Sequence, residues 1–230
     1  RNYGLSKKES HSIIYTMKQY ILYLSISIIL VYFAYELYQH REGIQNKITH
    51  IVLLGDSIFQ NKNYVPKSKS IEYLLKEKLS IPSLVLAQDN AIIYDIHNQY
   101  NAMPTDLNAK STNLYISIGG NDLLNLYEHN NTKDSNLFNM VWELYKKTIL
   151  MIIDNTQCNV ILTDIYFITD PNYSKYIPMI KKWNSNLYQF ANQHKLKVFK
   201  ISKILTQPKD FTNSIEPSVI GGKKMVNSFI

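Results

Sequence analysis

The side chain best placed for chemistry is a serine that closes an apolar run, Ile51-Val52-Leu53-Leu54-Gly55-Asp56-Ser57. Aliphatic residues in succession predict a strand buried on both faces, and Gly55-Asp56-Ser57 reads as the turn leaving its carboxyl end. Ligands of open α/β sheets bind at that edge, so Ser57 is a candidate nucleophile. The alternative is that Ser57 merely caps the following helix, a frequent use of serine in strand-to-helix turns. Two more polar clusters follow apolar runs in the same way: Asp89-Asn90 after Ser83 to Ala87, and Gly119-Gly120-Asn121-Asp122 after Asn113 to Ile118.

These clusters converge only if their strands run parallel. Strands are expected at His50 to Leu54, Ser83 to Ala87, Asn113 to Ile118, Asn159 to Thr163 and Lys197 to Ile201. Helical periodicity lies between and after them, at Ile71 to Leu79, Ile92 to Tyr100, Leu137 to Asp154, Tyr176 to His194 and Gly222 to Phe229. Strand and helix alternating in this way predict an α/β fold, a three-layer α/β/α sandwich around about five parallel strands. Residues just after a strand then share one crevice, and residues entering a strand lie on the opposite rim.

Gly55-Asp56-Ser57-Ile58 and Gly119-Gly120-Asn121-Asp122 resemble, in order, spacing and strand context, blocks one and three of the SGNH, or GDSL-type, hydrolases, a superfamily of serine esterases and lipases. The resemblance runs from about Thr49 to the C-terminus. It implies a flavodoxin-like sheet and Ser57 as nucleophile. It also implies an oxyanion hole made by the backbone N–H of Ser57, a block-two backbone N–H and the Asn121 side chain, with Asp56, Gly119 and Asp122 in support. The Asn121 amide suits that role, because it donates to a developing oxyanion without losing a proton first. As a cap or turn residue after Gly120 it would do no chemistry.

Block two of the family centres on a glycine, and the matching residue here is Asn90. Its N–H survives, and asparagine tolerates left-handed backbone. In place of the family's C-terminal Asp-x-x-His stands Asn213-Ser214-Ile215-Glu216, followed by Pro217-Ser218. The acid position is therefore Asn213 and the base position Glu216. Ile-Glu-Pro-Ser, with Ser57-Ile58-Phe59 and Tyr64-Val65-Pro66, is similar to a branch of the superfamily in which glutamate is the ordinary residue there.

No histidine offers a ready substitute. His50 and His194 enter predicted strands on the far rim, His11 and His40 flank an apolar N-terminal segment, and His97 sits within a predicted helix. His129 is expected in the loop after Asn121-Asp122, where the plainer reading is a solvated residue. An ordinary glutamate, with pKa about 4.3, is a poor base for a serine hydroxyl unless burial lifts it towards about 6–7. Two functions remain open: an ester hydrolase using Glu216, or a catalytically inactive domain serving as a structural or docking subunit of a membrane protein complex.

The N-terminal segment bears on both. Residues 1–18 are polar and basic, and 19–38 form an apolar run with Tyr20 and Tyr23 at one end and Tyr32, Tyr35 and Tyr38 at the other. That pattern predicts a transmembrane helix with aromatic belts at its interfaces, then a polar stalk over 39–48 and the catalytic-type domain over 49–230. The small-residue cleavage site of a signal peptide is missing after the run. A single-pass membrane protein is expected, with the mitochondrial membrane and the secretory pathway both open. The absence of an initiator methionine implies processing or truncation upstream. The net charge of +7 in 230 residues is scattered, with no nucleic-acid motif, so the expected partners are a bilayer, an acyl ester and, in the second reading, a membrane complex. No metal or cofactor is expected, since no His, Asp or Glu cluster has ligand spacing.

Overall fold

A computed structural model describes residues 7–45, 47–130 and 135–229. The chain divides into two compact units, Arg1–Lys47 and Ile48–Ile230. In the first, a single helix α1 (Lys7–Gln45) contains the apolar stretch Thr16–Tyr38, with mean hydropathy 1.8 and its side chains exposed. Helix α1 begins inside the basic segment and continues through much of the expected stalk, to Gln45.

The second unit is built on a sheet of five parallel strands: β1 (His50–Gly55), β2 (Ser83–Val85), β3 (Thr112–Ser117), β4 (Asn159–Thr163) and β5 (Lys197–Phe199). Their order is β2-β1-β3-β4-β5. The helices are α2 (Ile71–Lys78), α3 (Asp95–Asn101), α4 (Gly120–Asn130), α5 (Ser135–Asn155), α6 (Ile177–Gln193) and α7 (Val219–Asn227). The strand order reverses at β1, so crossovers of one hand place helices on both faces. Alternation along β1 shows the two layers: Ile51 and Leu53 pack with Leu74 and Leu75 of α2 and Met225 and Val226 of α7, while Val52 and Leu54 pack with Ile96 of α3 and Ile149 of α5.

The elements differ from their sequence patterns where backbone hydrogen bonds leave the ladder. Strand β2 stops at Val85 because the next two N–H groups, of Leu86 and Ala87, both donate to the Leu53 carbonyl at 2.9 and 3.1 Å. Helix α4 replaces the loop expected after Asn121-Asp122, so His129 stands in a helical turn. Gly119-Gly120-Asn121-Asp122 reads as a turn, yet Asp122 in the first turn favours the helix dipole and Leu123 is buried. A short antiparallel hairpin, β6 (Phe211–Thr212) and β7 (Glu216–Pro217), lies outside the main sheet.

Candidate active site

The site begins with a glycine that no other residue could replace. Gly55 has φ +138°, and a Cβ there would lie 1.9 Å from the Ser117 carbonyl oxygen, so the end of β1 is pressed against β3. The Gln99 side chain, 2% exposed, grips the same residue: its Oε1 accepts from the Gly55 N–H at 2.7 Å and its Nε2 donates to the Gly55 carbonyl at 2.8 Å. Asp56 then donates its N–H to the Ser117 carbonyl at 3.1 Å, and its Oδ1 accepts from the Ile58 N–H at 3.1 Å. The pinned turn delivers Ser57, 6% exposed, into the crevice at the carboxyl edge of the sheet.

Ser57 is not a helix cap. Its hydroxyl donates to Glu216 Oε1 at 3.0 Å, while the cap of α2 is Ser70, whose Oγ accepts from the Tyr73 N–H. Glu216 lies 159 residues further along, and three contacts fix the hairpin that carries it. The Tyr166 hydroxyl donates to the Ile215 carbonyl, Ser214 Oγ donates to Asp170 at 2.5 Å, and Asn61 Nδ2 donates to the Pro217 carbonyl at 3.2 Å. Asn61 also accepts from the Ile71 N–H at 2.8 Å, so one buried amide ties the loop after Ser57 to the start of α2 and to the strand of Glu216.

Burial changes the acids. Glu216 is 6% exposed and its Oε2 has no hydrogen-bond partner; burial pushes its pKa up to about 7, against the Ser57 hydrogen bond that lowers it, and the charge of Asp89 adds to the rise. Asp56 is pushed up to about 8 by burial, opposed by the Ile58 N–H, with the Glu216 charge adding. At neutral pH Glu216 is therefore part ionised beside a protonated Asp56. Asp122 rises to about 6, again through burial and against the Ile93 N–H.

The other two clusters meet at the start of α4. Gly119 has φ +108°, and a Cβ there would lie 2.4 Å from the ring of the buried Trp183. Asn121 Nδ2 donates to the Ala91 carbonyl at 2.9 Å and the Asp122 carboxylate accepts from the Ile93 N–H at 3.2 Å, so this turn clamps the loop after β2. Within that loop Asn90 has φ +60°, the left-handed geometry asparagine tolerates. Among the described residues the backbone N–H groups of Ser57 and Asn90 have no acceptor, and one hydrogen of the Asn121 amide is likewise unused.

Asn213 is not brought to this group. It is exposed in the turn between β6 and β7 with φ +46°, and Ser214 follows at +67°. A turn with two left-handed residues explains an asparagine there without any role beside Glu216. The acid that Glu216 does feel is Asp89, which accepts from the Tyr64 hydroxyl at 2.8 Å and from Asn63 at 2.9 Å. His50 hydrogen-bonds Thr49 where β1 begins, His97 pairs with Asn101 on the exposed side of α3, and His194 packs on Phe190 after α6. The side chains of His11, His40 and His129 lie outside the described residues.

Four residues that the sequence did not single out also shape the site: Gln99, Asn61, Tyr166 and Asp164. Asp164 directly follows β4, so the strand-end argument that found Ser57 could have found it. Its carboxylate accepts from Ser202 N–H at 2.9 Å, Ser202 Oγ at 2.5 Å and the Tyr188 hydroxyl at 2.5 Å, tying β4 to the segment after β5. Beside Ser57 and Glu216 opens a narrow pocket of about 50 Å³, walled mainly by apolar side chains of α4, α6 and the segment after β4. Among the described residues no cluster of three or more His, Cys, Asp or Glu could hold a metal.

A parallel five-stranded sandwich with a buried serine on the turn after β1 is an open α/β fold whose candidate site lies at the carboxyl edge of its sheet. The chain belongs to the GDSL-like Lipase/Acylhydrolase family, whose model matches residues 51–219. Among solved structures it resembles a lipolytic protein of the G-D-S-L family from Veillonella parvula, at 20% identity and TM-score 0.60, covering 78% of this chain and 94% of that one. It also resembles the acetyl xylan esterase AlAXEase, at 14% identity and TM-score 0.61 over 78% and 97% of the two chains. The acetylxylan esterase Axe2 of Geobacillus stearothermophilus follows at 13% and 0.59 over 80% and 94%. At these identities the likeness is one of fold. No curated protein matches the chain.

Proposed function

We propose that this protein is a single-pass membrane-anchored ester hydrolase in which Glu216, in place of a histidine, takes the proton of Ser57. The observation that carries the reading is the 3.0 Å hydrogen bond from the Ser57 hydroxyl to a carboxylate whose pKa burial has raised to about 7. General-base catalysis needs that reach and a base matched to the working pH. In the first step Ser57 Oγ attacks the acyl carbon while its proton passes to Glu216. The tetrahedral oxyanion is held by the N–H groups of Ser57 and Asn90 and the free amide hydrogen of Asn121, each such donor worth roughly 2.7–4 kcal/mol in the transition state. Glu216 then gives the proton to the departing alcohol, and water, activated by the same carboxylate, releases the acid from Ser57.

Family membership supports ester chemistry, and α1 supports the anchor by length and composition. The test uses the full chain in detergent with a fluorophosphonate probe and a short-chain nitrophenyl ester. Ser57 is expected to label and to turn over substrate, with kcat/KM rising through an apparent pKa about 7. Absence of labelling at Ser57 between pH 6 and about 9, a range chosen to cover ionisation of both buried acids, would end the enzymatic reading and leave the fold to a docking role in a membrane complex.

A further inference from the structure

The surroundings of Ser57 are lopsided. Outside the pocket lining, with Asp89 close enough for its charge to act on Glu216, stand Asp89, its donor Tyr64 and the exposed Asn90, a polar lip. The pocket itself lies between α4 and α6, walled by Leu123, Leu124, Ile168, Tyr176, Met179 and Ile180. Among the polar groups that line this pocket, the Asp164 carboxylate is already engaged by Ser202 and Tyr188.

We infer that this pocket holds the acyl chain of the substrate and that the protein selects esters of acyl chains several methylenes long over acetyl esters, an inference that rests on the ester-hydrolase reading. Proton transfer decides which arm of the ester goes where. The departing oxygen must face Glu216 to receive its proton, which sends the alcohol across the lip of Asp89 and Tyr64. The acyl arm then points away from Glu216, between α4 and α6. A hydroxylated alcohol such as a sugar would suit the lip better than the pocket, whose mainly apolar walls offer hydroxyls few partners. Each methylene buried against such walls is worth about 0.8 kcal/mol, or about 4-fold in kcat/KM.

The test compares nitrophenyl acetate with nitrophenyl hexanoate on the full chain in detergent, so that the leaving group is constant and only the acyl arm changes. Hexanoate is expected to exceed acetate in kcat/KM by roughly tenfold or more, part of the gain that four buried methylenes allow. Leu124→Trp and Met179→Trp, both at partly buried positions, fill the pocket from either helix and should each lower the hexanoate-to-acetate ratio by roughly tenfold, with fluorophosphonate labelling reporting a folded site. Turnover of both esters without preference for hexanoate, or a ratio that survives both tryptophans in labelled protein, overturns the assignment while leaving the ester hydrolase intact. No turnover and no labelling of the unmodified chain removes both together.

Discussion

In the proposed reaction Glu216 is a residue unsuited to its task by type and suited to it by place. In water its carboxylate would hold too little affinity for a proton to take one from serine. Under the hairpin, burial removes the solvation that favours the anion, and Asp89 adds its charge. Glu216→Gln keeps the shape and an acceptor for the Ser57 hydroxyl but cannot take the proton. It is expected to lower kcat by about 10²–10⁴-fold with little change in KM, read by steady-state kinetics on a nitrophenyl ester. Asp56 carries a different consequence. Its pKa is 3.8 unperturbed and about 8 in the folded chain, so the native state keeps a proton that the unfolded state gives up in that window. Stability tied to this group is full below pH 3.8 and falls as pH rises towards 8, the sign expected when the folded pKa is the higher one. Asp56→Asn removes this slope, and denaturant unfolding at pH 5 and 8.5 should show the variant gaining on the parent as pH rises. An identical pH dependence in both proteins would mean that Asp56 is ionised when folded.

At the scale of elements, the contact between Ser57 and Glu216 depends on a hairpin with little stability of its own. Strands β6 and β7 are two residues each, too short to stand without help, and Tyr166 and Asp170 after β4 and Asn61 after β1 supply it. Tyr166→Phe leaves the Ile215 carbonyl without its donor, which costs about 1–3 kcal/mol where no water reaches it. The expected result is a lower midpoint in thermal or denaturant unfolding and a lower kcat, while the acidic limb of the pH profile, which belongs to Glu216, stays near pH 7. The sheet was legible in the sequence because its strands are aliphatic runs ended by polar turns, and the turn after β1 could be assigned to the reactive edge from topology alone. Helix α4 was not, since Gly119-Gly120-Asn121-Asp122 has the chemistry of a turn, and the burial of Leu123 that favours a helix there is a tertiary contact. Gln99 and Asn61 were hidden for another reason. A side-chain amide has no sequence pattern that marks it for a partner 44 or 156 residues away, and both find theirs only when the fold is closed. Glu216 entered through resemblance, and its contact with Ser57 needed coordinates. Asn213 entered in the same way, and its left-handed backbone gives it a turn to make instead.

The whole molecule joins two units of opposite character, and the first has no core of its own to explain its composition. Leu22, Leu24, Ile28, Leu30 and Phe33 are exposed along α1, each a side chain whose removal from water is worth about 1.5–3 kcal/mol. The stretch Thr16–Tyr38 is 23 residues long, which at 1.5 Å per residue gives roughly 34 Å against a hydrocarbon layer of about 30 Å. Tyr20 and Tyr23 fall near one interface of such a span and Tyr35 and Tyr38 near the other, where amphipathic rings are favoured. Family similarity starts at residue 51, and the helix belongs to a compact unit separate from the hydrolase-like one. Expressed in cells, the full chain is expected to stay with the membrane pellet through alkaline carbonate and to enter solution only with detergent. Leu24→Lys with Ile28→Lys places two charges mid-span at about 2.5–3.5 kcal/mol each, and should shift the protein to the carbonate supernatant. Recovery of the unsubstituted protein from that supernatant would remove the anchor. A membrane-free product whose mass begins after Tyr38 would identify the same helix as a cleaved signal sequence.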